Sequence, residues 1–155
     1  MPSYLSFARF YDGLMQDACY EKRCDYILKL AEKFNHDMGI TLDLACGTGT
    51  LTRLLKKRGV DVFGIDCSME MLSEAMQSAC EEELDILFLR QKMQSIDLYG
   101  TINTCVCTLD SINHLTKIED VAKTFDRVGL FMDDDGLFIF DVNTVYKHKN
   151  VLADN

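Results

Sequence analysis

Several features that would set this chain apart from an ordinary globular protein are missing from its sequence. No apolar run approaches the roughly 20 residues of a membrane span. The first residues show neither the charged start nor the continuous apolar stretch of a signal peptide. There is a single proline, Pro2, and there is no low-complexity linker or internal repeat. These absences predict one domain over residues 1–155, located in the cytoplasm and not in a membrane.

Positive charge and metal-ligand patterns are also scarce. The chain has 16 Lys and Arg against 25 Asp and Glu, a net charge of −9, so binding to nucleic acid by phosphate neutralisation is not expected. The seven cysteines include no Cys-x-x-Cys pair, which argues against zinc and predicts no bound metal. We expect reduced thiols that mostly serve as small buried residues. At 48% hydrophobic residues, the chain can build a core, unlike a disordered tail.

Apolar runs alternate with stretches of helical periodicity along the chain. The runs are nearly continuous, as in strands that are covered on both faces. This alternation predicts a doubly wound α/β fold, in which a parallel sheet of about five strands has flanking helices. A capping box predicts that Thr116 caps the last helix, and the acidic stretch 133–136 predicts a turn. Strands are expected at 40–45, 60–66, 84–89, 102–109 and 137–140, with helices at 20–35, 50–58, 68–79 and 117–128.

The chain before the first strand is rich in aromatic residues near its start. Residues 1–38 are predicted to form a helical or lid segment ahead of a core over 39–145. The aromatic side chains at 4–11 either pack into the core or cover a ligand, and Tyr11 is the one expected to reach the site.

A glycine turn follows the first predicted strand, where parallel sheets of this kind bind their ligands. Gly47 and Gly49 permit a tight turn, and the helix after them points free N–H groups at a ligand. One interpretation is a dinucleotide site, although its third glycine position holds Thr52 and Asp43 would repel a pyrophosphate. The other is a nucleoside without phosphate and with a cationic amino-acid tail. Asp66, at the end of the next strand, can accept both hydroxyls of a ribose in either case.

Two segments, which place Asp66 19 positions after Gly47, resemble the class I S-adenosylmethionine-dependent methyltransferases, in particular small bacterial members. They are 43–49, with the sequence DLACGTG, and 64–72, with the sequence GIDCSMEML. The stretches 108–115 (TLDSINHL) and 10–15 (FYDGLM) are similar to the same members, so the resemblance covers essentially the whole chain. It implies S-adenosylmethionine as cofactor and S-adenosylhomocysteine as product.

The resemblance also implies roles for individual residues. Asp43 would hold the ammonium of the cofactor, Asp66 the ribose, and Met71 or Met69 would pack on the adenine. The backbone of Met93 could bond the adenine, whereas Lys92 stands where the family often has an acidic residue. Leu109 would line the floor near the transferred methyl. The full set of expected cofactor-binding residues is Tyr11, Asp43, Ala45, Gly47, Thr48, Gly49, Asp66, Cys67, Met71, Met93 and Leu109.

The expected reaction is in-line transfer of a sulfonium methyl to an acceptor. The enzyme mainly aligns the acceptor and excludes water, and a general base is needed only for a protonated nucleophile. Asp110 is the catalytic candidate, with His114 as a second polar residue after the fourth strand. Two alternatives stay open: a module that binds the cofactor without catalysis, and an NAD-type oxidoreductase.

The acceptor and the assembly are predicted only in outline. A small molecule or a protein is favoured as acceptor over nucleic acid because the chain is acidic. The resembled fold has seven strands, so the last strands are expected to be missing here. The fifth strand would then be an open edge, and a homodimer through that edge is a possible arrangement.

Overall fold

The computed structural model describes residues 19–150, which contain a five-stranded parallel sheet with strand order β3-β2-β1-β4-β5. Each crossover between parallel strands carries the chain over a face of the sheet, which confirms the predicted doubly wound α/β fold. The strands are β1 (Ile40–Leu44), β2 (Asp61–Asp66), β3 (Phe88–Arg90), β4 (Ile102–Cys107) and β5 (Met132–Phe140).

The described residues also form five α-helices and two short 3₁₀ turns, three of the helices lying between strands. The first turns of the helices after β1 and β2 lie at the carboxyl edge of the sheet, where the glycine turn was predicted. The helices are α1 (Tyr20–Lys33), α2 (Thr50–Lys57), α3 (Met69–Glu81), α4 (Ile118–Phe131) and α5 (Val145–Asn150), with 3₁₀ turns at Met93–Ser95 and Ser111–His114.

Two hydrophobic clusters lie on opposite faces of the sheet, and the alternation of β1 separates them. Leu42 and Leu44 belong to the cluster that includes Val128 of α4. The other cluster is built from α1, α2 and β2, with Leu55 fully buried at its centre. Because successive side chains of a strand point to opposite faces, Asp43 faces α1 and α2. A buried carboxyl group therefore lies near the carboxyl end of a mostly apolar strand.

One predicted boundary, the start of the third strand, is wrong. A strand was expected from residue 84, but β3 begins at Phe88. The amide of Leu84 instead donates to the carbonyl of Ala79 at 2.9 Å, and Glu83 has a φ of 55°. This 6→1 bond with a left-handed residue closes the end of α3. Leu84 therefore ends α3 instead of beginning a strand.

Three further predictions fail nearer the end of the chain. Helix α4 begins after Lys117, not Thr116, and no side chain caps it. The helical periodicity of 118–128 also predicts a buried Ile118, but this side chain is 74% exposed. The acidic turn is a bulge inside β5: Ile102 of β4 pairs with Met132, and Thr104 pairs with Leu137. The acidic residues 133–135 are thus among the extra residues of β5 that lie between these two strand pairs.

Some expectations concern what the described part of the chain contains. No helix within residues 19–150 is both long and apolar enough to cross a membrane. No group of three or more His, Cys, Asp or Glu side chains in that range is arranged to hold a metal ion. Tyr11 and the aromatic segment around it lie outside the described residues.

Candidate functional site

The turn after β1 is shaped by residues with positive φ. Gly47 has a φ of 56° and Gly49 a φ of 70°, a region that favours glycine. A Cβ added at Gly47 would meet nothing within 4 Å, so open space lies beside this residue. A Cβ at Gly49 would come within 3.0 Å of Ala75 and Phe88. The first glycine thus leaves room for a ligand, and the second lets the turn pack against α3 and β3.

Asp66 joins the two loops that follow β1 and β2. Its carboxylate accepts a hydrogen bond from the amide of Gly47 at 2.9 Å and from the amide of Ser68 at 2.8 Å. Ser68 then caps α3 by accepting from the amide of Met71 at 3.3 Å, as its position predicts. These bonds fix the position of the carboxylate, and each oxygen keeps a lone pair for a further donor.

Asp43 has a different environment, although it lies near the carboxyl end of the neighbouring strand β1. Its side chain is buried and accepts one hydrogen bond, from the hydroxyl of Thr52 at 2.6 Å. Burial raises the pKa of Asp43 from 3.8 to about 7; the Thr52 bond opposes this rise and the charge of Asp66 adds to it. A positive charge bound nearby would favour the ionised form.

The cysteines near the site are mostly neutral thiols. Burial raises the pKa of Cys46 well above its usual range, and the charges of Asp43 and Asp66 raise it further. Burial likewise raises the pKa of Cys105. Contrary to the prediction of mainly buried thiols, Cys19, Cys67 and Cys80 are exposed. All seven cysteines fall within the described residues and none forms a disulfide.

Two cavities meet at Ala45. The larger, of about 240 Å³, lies on the Asp66 side and has mostly apolar walls. The smaller, of about 30 Å³, lies on the Asp43 side and reaches the chain after β4. Residues lining the larger cavity include Leu44, Ile65, Asp66, Cys67, Lys92, Met93, His114 and Leu115. Those lining the smaller include Tyr20, Asp43, Gly47, Thr108, Leu109 and Ser111.

Most of the predicted site residues in the described range are therefore brought together. Ala45, Asp66, Cys67 and Met93 line the larger cavity, and Ala45, Asp43, Gly47 and Leu109 line the smaller one. His114, the second polar candidate, also lines the larger cavity.

Four predicted residues line neither cavity. The carbonyl of Thr48 accepts a hydrogen bond from Arg53 at 2.8 Å, and Gly49 packs against α3. Met71 lies in the first turn of α3. Asp110, the catalytic candidate, forms an ion pair with Lys147 of α5 at 3.4 Å. A direct role for these residues stays a prediction.

Some lining residues were given no individual role by the sequence analysis, although three of them lie in the stretch 108–115. Tyr20, Thr108 and Ser111 border the smaller cavity, and Leu115 borders the larger. Asp141, directly after β5, binds two backbone amides of the loop that borders the smaller cavity. Its signal in the sequence is a polar residue at the carboxyl end of an apolar strand, the same signal that identified Asp43 and Asp66.

Comparison with protein families gives one matching family model, described as "Methyltransferase domain", over residues 41–136. A Bacillus subtilis protein named "Putative methyltransferase YqeM" is 39% identical over 154 residues, covering 98% of this chain and 60% of that protein. A putative methyltransferase of Geobacillus sp. (strain WCH70) is 33% identical over 153 residues, covering 98% of this chain and 62% of the relative. The chain thus spans about three fifths of the length of these relatives.

Solved structures give a consistent result. An S-adenosylmethionine-dependent methyltransferase from Clostridium acetobutylicum superposes with a TM-score of 0.86 at 34% identity, covering 96% of this chain and 61% of that one. The S-adenosylmethionine-bound amino pentose methyltransferase CalS10 of Micromonospora echinaspora superposes with a TM-score of 0.78 at 16% identity. The match covers 86% of this chain and 56% of that one. At that identity, the second likeness shows the fold alone.

Proposed function

The chain belongs to the class I S-adenosylmethionine-dependent methyltransferases, and we propose from this premise that it carries the cofactor site of an enzyme that methylates a small molecule or a protein. The observation that supports the proposal best is the pair of carboxylates beside the glycine turn. Asp66 borders the larger cavity, Asp43 borders the smaller, and Ala45 and the open space at Gly47 lie between them.

The residues present fit S-adenosylmethionine. Leu44, Ile65, Met93 and Leu115 supply apolar walls of a size suited to an adenine ring. The fixed carboxylate of Asp66 has lone pairs left for ribose hydroxyls. Asp43, buried behind the turn, would hold the cationic amino-acid end.

The chain's own residues bind and orient rather than take part in bond making. When bound, S-adenosylmethionine supplies a methyl group activated by a sulfonium, with a neutral thioether as leaving group. Leu109 and Ser111 border the smaller cavity and would shield the reacting end from water. His114 lines the larger cavity, on the side where the adenine would lie and away from the reacting end. Asp110 would act as a base only after release from Lys147.

The acceptor class and the location are proposals on different grounds. The net charge of −9 favours a small molecule or a protein over nucleic acid as acceptor. Seven free thiols suit a reducing compartment and support a cytoplasmic location.

We also retain a homodimer through β5 as a proposal. Within residues 19–150, β5 pairs with β4 and with no other strand. The acidic bulge at its start leaves residues 137–140 as the part suited to pairing. Light scattering after size-exclusion chromatography tests this, because a monomer at high concentration would exclude pairing at this edge.

Binding and transfer are tested separately. In titration calorimetry, the chain is expected to bind S-adenosylmethionine and S-adenosylhomocysteine and not NAD. The control variant Asp126→Asn changes an exposed residue of α4 and should bind these ligands like the parent. The reverse preference would refute the proposal. Transfer of a tritiated methyl group to fractionated small molecules or proteins then separates an enzyme from a module that binds without catalysis. The comparisons give the oxidoreductase alternative no support.

A further inference from the structure

Asp141 gathers three parts of the fold around one carboxylate. It accepts hydrogen bonds from the amide of Leu109 at 3.0 Å and from the amide of Asp110 at 2.7 Å. It also forms an ion pair with Arg23 of α1 at 2.6 Å. Its own amide donates to the carbonyl of Cys107 at 3.3 Å, which continues the β4–β5 ladder. The end of β5 is thus tied to α1 and to the loop after β4.

The loop that Asp141 holds has an unfavourable backbone conformation. Leu109 and Asp110 have φ values of 61° and 60°, and neither is a glycine. Left-handed backbone is costly for side chains with a Cβ and persists only where surrounding contacts impose it. Both amides of this left-handed pair donate to Asp141. The carboxylate is therefore the contact that imposes this backbone shape.

The same loop borders the smaller cavity. Leu109 lines it together with residues of the glycine turn and with Tyr20 of α1. Tyr20 and Arg23 are three residues apart on α1, so they lie on the same face of that helix. A change at Asp141 would consequently move two walls of the cavity at once.

We propose that Asp141 is a positioning residue for the methyl-transfer end of the cofactor site. It holds the left-handed pair Leu109 and Asp110 against the smaller cavity and fixes α1 beside them through Arg23. The nature of the ligand rests on the proposed function, whereas the positioning of the loop does not.

The test compares Asp141→Asn with the matched exposed change Asp126→Asn. Asparagine keeps one acceptor oxygen and loses the charge, so one of the two loop amides loses its acceptor and Arg23 loses its ionic partner. We expect the affinity for S-adenosylhomocysteine to fall by roughly tenfold or more in Asp141→Asn and to stay unchanged in Asp126→Asn. Equal affinity of Asp141→Asn and the parent would overturn the proposal.

A rescue experiment separates positioning from general stability. Glycine adopts left-handed backbone without cost, so adding Asp110→Gly to Asp141→Asn should restore at least about threefold in affinity. In the parent background, Asp110→Gly should bring no such gain. A double variant that binds no better than Asp141→Asn would show that the backbone of the loop is not what Asp141 controls.

Hydrogen exchange tests the loop without any ligand. The amides of Leu109 and Asp110 should be protected in the parent and lose protection in Asp141→Asn, while amides in α2 keep theirs. Unchanged protection would refute the positioning role. If the parent fails to bind the ligand, the proposed function fails, and this measurement still decides the role of Asp141.

Discussion

Burial of Asp43 predicts a loss of stability as the pH rises towards neutrality. The carboxyl group has a pKa of about 7 in the folded chain against an ordinary value of 3.8. Between these values the unfolded chain releases a proton that the folded chain keeps, so the free energy of unfolding falls with rising pH. At about 1.4 kcal/mol per pH unit, the interval corresponds to about 4 kcal/mol, as an upper bound. The penalty is absent below pH 3.8 and complete above about 7.

The variant Asp43→Asn isolates this contribution. Its side chain is neutral at every pH, and its amide oxygen can still accept from the hydroxyl of Thr52, 2.6 Å from the present carboxylate. Relative to the parent, the variant should therefore gain up to about 3 kcal/mol in free energy of unfolding between pH 5 and pH 8. Urea unfolding at a series of pH values measures this difference, with Asp126→Asn as control. Parallel curves for parent and Asp43→Asn would refute the reasoning.

The same titration predicts how ligand binding depends on pH. A cationic ligand needs Asp43 ionised, so below a pKa of about 7 binding must displace a proton. An α-ammonium group keeps its charge below pH 7. Affinity for S-adenosylhomocysteine should thus be on the order of tenfold weaker at pH 5.5 than at pH 7. In Asp43→Asn, the affinity for S-adenosylhomocysteine should be lower than in the parent at pH 7 and should not change between pH 5.5 and pH 7. Calorimetry in two buffers of different ionisation enthalpy would detect the released proton.

Two further predictions concern residues of β2 that contact the turn. Asp66→Ala should weaken S-adenosylhomocysteine binding by a few kcal/mol, because ribose hydroxyls and the amide of Gly47 lose a charged acceptor; unchanged calorimetric affinity would mean that the ribose binds elsewhere. Gly64→Ala should destabilise the fold by about 1–3 kcal/mol in urea unfolding. Its Cβ would lie 2.8 Å from Cys46 Sγ and 2.8 Å from Phe88 Cδ1, and parent-like stability would show that both side chains can move aside.

The fold and much of the site could be predicted because their signals are local. Continuous apolar runs predicted β1 and β2, and the cap at Ser68 predicted the start of α3. Once the strands were parallel, their carboxyl ends had to meet at one edge, which brought Asp43 and Asp66 to the same turn. The parallel arrangement did not predict how deeply each carboxyl group is buried, because burial depends on the helix that covers the strand.

The failures have non-local or competing causes. Asp141 is bonded to residues more than 30 positions earlier in the chain, a distance that no periodicity reports. The residues after α3 are apolar like a strand, but Leu84 is used to close the helix. Thr116 satisfies the pattern of a capping box, yet the helix begins one residue later and leaves Ile118 exposed. In each case a tertiary contact or a helix end outweighed the local preference.

The contrast between the two carboxylates argues for the kind of ligand that the site receives. Asp66 is held by two backbone amides, so its ability to accept hydrogen bonds does not depend on a ligand. Asp43 is buried with one hydroxyl donor, and its ionisation is unfavourable until positive charge is supplied from outside. A phosphate placed beside the turn would instead have to overcome the charge of one carboxylate and further raise the pKa of the other. The site is therefore built to gain binding energy from a cation on the Asp43 side and from hydroxyl groups on the Asp66 side, the combination that S-adenosylmethionine provides.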